Sequence, residues 1–191
     1  MNTNNDTKRK LIDVTRHMID TNGIDSVSMR DLGKEMNLSR SAVYRHFKSK
    51  EDLLAAITAE NFEVLNRRID KLMGEIDDPK ELIYAVLYTH YDYGISNPEH
   101  YRLMSQKQWN KEEYPDLHSS AFKLYELIER CLQKAQERTH TFSKSSRHLT
   151  AMIGAFIHGL IELSFAGHLE AEKGFDDPSG LIKSFLDIIL V

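Results

Sequence analysis

From Thr7 to Thr21 the apolar residues Leu11, Val14, Met18 and Ile19 recur at three- and four-residue steps, which predicts an amphipathic first helix. Met1 to Asp6 shows no such periodicity and is expected to be disordered in the free chain. Gly23 is the stop signal, after which Ile24 and Val27 carry the chain back into a core. Ser28 and Asp31 form a capping box in front of Met29, Leu32 and Met36, a second and shorter helix. Asn37-Leu38-Ser39 then breaks the pattern and supplies a new N-cap. In the third segment Ala42, Val43 and Phe47 face inward while Arg40, Ser41, Tyr44, Arg45 and His46 face outward. Ser49 and Asp52 open the longest run, in which Leu53, Ile57, Phe62, Leu65, Ile69 and Leu72 lead to Gly74.

Beyond this point the signals remain helical. Asp78-Pro79-Lys80-Glu81 combines an N-cap, a proline at the first helical position and an acidic third residue. The helix it opens runs through Leu82, Val86 and Tyr93 and is expected to stop over Gly94 to Asn97. Pro98 starts a short helix carrying Tyr101, Met104, Gln108 and Trp109, and Lys111 to Pro115 reads as loop. Asp116 to Glu137 spaces Leu117, Ala121, Leu124, Ile128 and Cys131 for burial, and Arg138 to Ser145 reads as a second loop. The eighth helix, Ser146 to about Ala166, is apolar nearly all round, with Gly154, Ala155 and Gly159 suited to close approach by another helix. Asp177-Pro178 caps a ninth, Leu181 to Leu190, rich in Leu, Ile and Phe. No strand pattern or internal repeat occurs, so the fold class is all-α with about nine helices.

Charge divides the chain. The net formal charge is −4, but residues 1–50 hold ten Lys/Arg against six Asp/Glu, a balance of +4 that leaves −8 for residues 51–191. A basic head on an acidic body suits a protein that meets phosphates with one end. Lys8, Arg9 and Lys10 reinforce this, because basic residues at a helix start oppose its dipole. Cys131 is the single cysteine, so no intramolecular disulfide forms and a reducing compartment is expected. No signal peptide is recognised, and the longest charge-free run, His148 to Ile161, is too short to cross a bilayer, so a cytoplasmic protein with no membrane partner is expected.

The second and third helices with their tight polar turn make a helix-turn-helix. The run Tyr44-Arg45-His46-Phe47-Lys48-Ser49-Lys50-Glu51-Asp52-Leu53-Leu54 resembles the DNA-binding segment of the tetracycline-repressor (TetR-type) family of bacterial regulators. The motif resemblance covers about residues 7–60; for the rest, length and the all-helical pattern agree. It implies an N-terminal three-helix helix-turn-helix DNA-binding domain, residues 1–50, joined by a long helix to a helical ligand-binding and dimerisation domain, residues 51–191. In such a motif the N-terminal residues of the recognition helix, Ser39, Arg40, Ser41 and Ala42, meet base edges: Arg40 suits guanine and Ala42 a thymine methyl. Tyr44, His46 and Lys50 match family positions that contact phosphates, and Lys8, Ser28 and Arg30 are further backbone contacts. The expected partners are a double-stranded DNA operator, a second copy of the chain, paired through the eighth and ninth helices, and an unidentified small-molecule effector.

The resemblance also implies a ligand pocket among helices four to eight. Tyr88, Tyr91, Met104, Trp109, Phe122, Tyr125 and His158 are candidates, with Tyr84 and Phe156 beside them, although aromatics at helical spacing are also ordinary core. His158 and Glu162 stand four residues apart on the eighth helix, a two-ligand spacing that His90, His118 and His148 do not complete into a recognisable site, so no metal and no cofactor is called for. A helical enzyme or small-molecule carrier is the alternative, but no nucleophile elbow, phosphate loop or paired carboxylates support catalysis. The reading is a sequence-specific DNA-binding regulator, a repressor of a palindromic operator released by ligand, with no catalytic residues.

Overall fold

The computed structural model describes residues 3–105, 108–139 and 145–190. Among the described residues there are nine α-helices and no strands: α1 (Thr3–Asn22), α2 (Met29–Glu35), α3 (Arg40–Tyr44), α4 (Lys50–Glu75), α5 (Pro79–Ser96), α6 (Pro98–Ser105), α7 (Pro115–Thr139), α8 (Ser146–Phe165) and α9 (Pro178–Ile189). Short 3-10 turns lie at Ile24–Ser26 and Ala171–Lys173. The chain forms two compact units, Met1–Phe62 with Glu99–Ser119, and Glu63–Pro98 with Ser120–Val191. Compactness thus groups residues differently from the expected division at residue 50: α6 and the segment after it belong with the head. One helix, α4, supplies Lys50–Phe62 to the first unit and Glu63–Glu75 to the second.

In the first unit, Leu11, Ile19, Leu32, Val43, Leu53 and Ile57 are fully buried, with Phe47 nearly so, and Leu103 joins the same core from α6. Trp109 packs against this core and its Nε1–H donates to the Leu103 carbonyl at 3.0 Å. Gln108 and Trp109, expected on this helix, lie outside it, and the indole of Trp109 instead meets the helix through the Leu103 carbonyl. The helix starts are as the caps foretell. The Asp31 amide donates to Ser28 Oγ at 3.1 Å, Ala42 to Ser39 Oγ at 3.2 Å, Asp52 to Ser49 Oγ at 3.0 Å and Glu81 to Asp78 Oδ1 at 2.8 Å. The first helix begins earlier than its apolar pattern, because Asp6 sits in its first turn and pairs with Lys10 at 2.8 Å.

In the second unit α5 packs against α8 and α9. α5 stops within the expected stretch Gly94 to Asn97, but Gly94 is not the stopping residue. It lies inside the helix, where a Cβ would meet Ile161 Cδ1 at 2.6 Å, Cγ1 at 3.1 Å and Cγ2 at 3.2 Å, and Asn97 forms the C-cap. Gly154 and Gly159, by contrast, face open space within the chain. One side of α8 is therefore uncovered within the chain, with Met152 48 % exposed. α8 is long and apolar enough to cross a membrane by length and composition, a property that core helices of soluble proteins share.

Gly94→Ala forces the whole Ile161 side chain to move and is expected to cost about 1–3 kcal/mol of stability, read as a lower urea midpoint with an unchanged slope. An unchanged midpoint would show that α5 and α8 do not depend on this close approach.

Candidate nucleic-acid interface

The recognition segment is short. α3 spans five residues, too few to hold a helix in water, so its shape rests on tertiary packing. Val43 and Phe47 are locked in the head core, and Ser39 caps the start while its Oγ lies 3.0 Å from Ser41 Oγ. The preceding turn closes with Asn37 at φ 52°, a left-handed conformation that Asn tolerates, and the Leu38 amide donates to the Gly33 carbonyl at 2.8 Å. A Cβ at Gly33 would stand 3.2 Å from the Leu38 carbonyl and 3.5 Å from Val43 Cγ2, so glycine lets α2 and α3 cross closely.

This packing leaves Ser39, Arg40 and Ser41 exposed together at the start of α3. The Arg40 guanidinium lies 5.4 Å from the centroid of the Tyr44 ring, which is 37 % exposed. Ala42 is turned inward and only 8 % exposed, leaving little surface for a thymine methyl. Arg30 is exposed, Ser28 and His46 are half-buried, and Lys50 donates through Nζ to the Ile24 carbonyl at 3.2 Å. Lys8 is exposed with its ammonium 5.4 Å from the Phe47 ring centroid. Because α1 starts at Thr3, Lys8, Arg9 and Lys10 do not stand in its first turn, and the dipole argument for them lapses. Arg9 pairs with Asp13 at 2.7 Å and Glu60 at 2.9 Å, and Lys10 pairs with Asp6 at 2.8 Å, while Lys8 forms no ion pair among the described residues.

The ligand candidates divide between the two compact units. Trp109 and Met104 belong to the head, and Trp109 is packed on its core. In the second unit Tyr84, Tyr88 and Tyr91 form a ladder along α5, with centroid separations of 6.1 and 6.4 Å. Tyr91 is buried with its hydroxyl 3.1 Å from Ser164 Oγ, and Tyr88 is exposed. Phe122 stacks on Tyr125 at 6.2 Å and is exposed, while the Tyr125 hydroxyl donates to the Arg147 carbonyl at 2.8 Å. Phe156 stacks on Phe185 at 4.1 Å. His158 is exposed, and near it burial drives the His90 imidazole down to about 4, with the neighbouring His158 adding to the effect. Tyr84 lines a groove of about 660 Å³ with Asp78, Lys80, Lys183 and Asp187. No cluster of three or more His, Cys, Asp or Glu suited to a metal occurs among the described residues. Burial raises the Cys131 thiol to about 11, which keeps it protonated and inert.

Sequence reasoning missed the polar network that ties α6 to the head. Arg16 Nη1 donates to Asn61 Oδ1 at 2.8 Å, and since Arg can only donate, the Asn61 amide nitrogen must face His100 Nδ1, 3.1 Å away. His100 is thereby held neutral with its proton on Nε2, donating to Asp20 Oδ1 at 3.1 Å. Glu99 accepts from the Ile24 amide at 3.3 Å beside it. The spacing of Asp20, Asn61 and His100 in the chain gives no signal of this contact.

A helix-turn-helix whose exposed Ser and Arg residues stand on a core-locked helix defines the class: a DNA-binding regulator with a second, helical unit. The pattern of bacterial regulatory proteins of the tetR family matches residues 11–57, and that of the tetracyclin repressor-like C-terminal domain matches residues 83–188. The chain belongs to the TetR family, and it is a DNA-binding transcriptional regulator. It is 21 % identical to the uncharacterized HTH-type transcriptional regulator YobS of Bacillus subtilis, over 97 % of this chain and 93 % of the relative. It is 29 % identical to the nicotine-responsive transcriptional repressor HdnoR of Paenarthrobacter nicotinovorans, over 43 % of this chain and 42 % of that protein. Among solved structures, the transcriptional regulator FadR of Bacillus subtilis in complex with stearoyl-CoA superposes with a TM-score of 0.74 at 17 % identity, covering 95 % of this chain and 97 % of that one, a likeness of fold.

Burial, and the Arg16 charge after it, lower the His100 pKa, against the opposing pull of Asp20 and Glu99. A histidine whose folded pKa lies below its unfolded value of 6.5 favours the neutral form on folding, so its contribution is intact above pH 6.5 and is lost as pH falls below it. Wild type should therefore lose more stability than His100→Gln between pH 7 and 5 in urea titrations; equal losses would remove His100 from the account.

Proposed function

We propose that the protein is a homodimeric repressor that binds an inverted-repeat operator and is released from it by a small molecule. The observation that carries the reading is the exposed Ser39-Arg40-Ser41 set at the start of a helix fixed by Val43 and Phe47. Arg40 reaches guanine O6 and N7 in the major groove, Ser39 and Ser41 contact adjacent edges, and Lys8, Ser28, Arg30, Tyr44, His46 and Lys50 bind phosphates. Ala42 adds little, being buried. The uncovered side of α8 and the 73 % exposed Ile188 of α9 support pairing with a second copy, since a monomer seldom leaves such a face in water. Two-fold pairing places two recognition helices about 34–36 Å apart, which makes the operator an inverted repeat.

The nicotine response of HdnoR and the stearoyl-CoA bound to FadR support an effector for this chain too, without fixing its chemistry. The Tyr84–Tyr88–Tyr91 ladder, with Phe122, Tyr125 and His158, is the side-chain set we assign to it within the second unit; Met104 and Trp109 serve the head. An effector that changes the spacing of the recognition helices weakens DNA binding, and linkage requires DNA to weaken its binding by the same factor. The protein acts in the cytoplasm, where its operator is, and as a regulator, not an enzyme.

Selection of bound duplexes from a random pool should return an inverted repeat. At that site Arg40→Ala should cost about 1–3 kcal/mol and flatten base preference, while Lys50→Ala weakens selected and random duplexes alike and reduces the salt slope by about one. Equal loss on both duplexes for Arg40→Ala, or no enriched repeat, contradicts the reading.

A further inference from the structure

Counted over residues 1–50 the head carries +4, but the compact unit also contains residues 51–62 and 99–119. Over the whole unit there are thirteen Lys/Arg and thirteen Asp/Glu, so the DNA-binding unit is formally neutral. A neutral unit is unusual for a protein that must approach a polyanion. The compensating acids are not scattered. A cavity of about 170 Å³ is lined by Lys8 and His46 together with Asp52, Glu113 and Asp116, so Lys8 is the single Lys or Arg in a lining that holds three carboxylates.

The acidic segment is fixed in place. Asn110 Oδ1 accepts from the Glu112 amide at 2.8 Å and the Glu113 amide at 3.2 Å, and the Tyr114 amide donates to the Asn110 carbonyl at 2.9 Å. The Tyr114 ring meets Trp109 edge-on at 5.5 Å, and its hydroxyl donates to Glu113 Oε1 at 2.9 Å. Trp109 in turn is packed on the head core. The negative field registers on Tyr114, whose hydroxyl is pushed up to about 12 by burial, then by the bond to Glu113 and the charges of Glu113, Asp52 and Glu51.

We propose that Glu113 and Asp116 limit the phosphate affinity of the DNA-binding head: lining one cavity with Lys8 and His46, they oppose the approach of phosphates and so keep binding to DNA that lacks the operator bases weak. Non-specific binding is phosphate attraction and little else, so a fixed negative charge beside the phosphate contacts removes the largest share of its free energy. The operator complex loses the same increment but has base contacts to add, so it stays tight while random DNA is left weakly bound. Asp52 is excluded from this role, because its carboxylate accepts from the Lys48 amide at 2.8 Å and caps α4. The proposal rests on the reading that Lys8 and His46 face phosphate.

The test uses the full chain and a mixed-sequence duplex of about 20 base pairs, with binding followed by fluorescence anisotropy from low to high salt. At low salt, one carboxylate about 10 Å from a phosphate changes affinity roughly twofold. Glu113→Gln with Asp116→Asn should therefore bind the duplex about three- to tenfold more tightly than wild type, with the gain fading near 0.5 M salt. Glu113→Gln alone, which keeps an acceptor for the Tyr114 hydroxyl, should give about half of the logarithmic gain and guards against damage at the start of α7. Glu172→Gln with Asp176→Asn removes the same charge from the other compact unit and should change affinity less than twofold. Unchanged or weaker binding by both Glu113 variants overturns the proposal, as does an equal gain in the Glu172 and Asp176 control. Lys8→Ala separates the two readings: if it leaves affinity unchanged, the phosphate assignment fails irrespective of what the acids do.

Discussion

Burial of Phe47 and Val43 is the contact on which the DNA-reading surface depends. A five-residue helix has almost no stability of its own, and the nucleation cost of its first turn is not repaid within five residues. Each large apolar side chain taken from water contributes about 1.5–3 kcal/mol, so two of them anchored beside Leu32 and Leu53 are enough to hold α3 in one orientation. The same anchoring decides which side chains remain outside. Turning Val43 and Phe47 inward leaves Arg40 and Ser41 outward, and it draws Ala42 in with them.

The core that does this is not local in the chain. Leu103 and Trp109 enter it from the end of α6 and the segment beyond, and the Arg16–Asn61–His100–Asp20 chain of hydrogen bonds pins α6 to α1 and α4. Residues 99–119 therefore carry two consequences for the head: they complete its apolar core, and they bring in acids that cancel the basic excess of its first fifty residues. Structure and electrostatics are set by one docked segment.

Much of this was legible in the sequence because helix ends are written locally. Ser28, Ser39, Ser49 and Asp78 all cap as their spacing to the next acidic or small residue implied, and the period-3.6 pattern located every long helix. Errors arose where a distant residue decided the outcome. Inside the stretch Gly94 to Asn97 that ends α5, Gly94 is also a contact point for Ile161, which its neighbours in sequence do not show. Trp109 looked like part of the sixth helix, and instead lies outside it and packs on the head core. The basic head was a sum over the wrong set of residues, because chain order does not reveal that residues 99–119 fold back onto the first sixty-two. A local pattern sees caps and periods; it does not see which helix meets which.

The central claim is that the recognition helix is held by a core that residues 99–119 complete. Amide hydrogen exchange on wild type and Leu103→Ala tests it most directly, since truncating a buried Leu costs about 2–5 kcal/mol wherever its effect is felt. The account predicts that amides of α2 and α3 exchange at least tenfold faster in the variant, together with those of α6. Acceleration confined to residues 99–119, with α2 and α3 protected as in wild type, would contradict it.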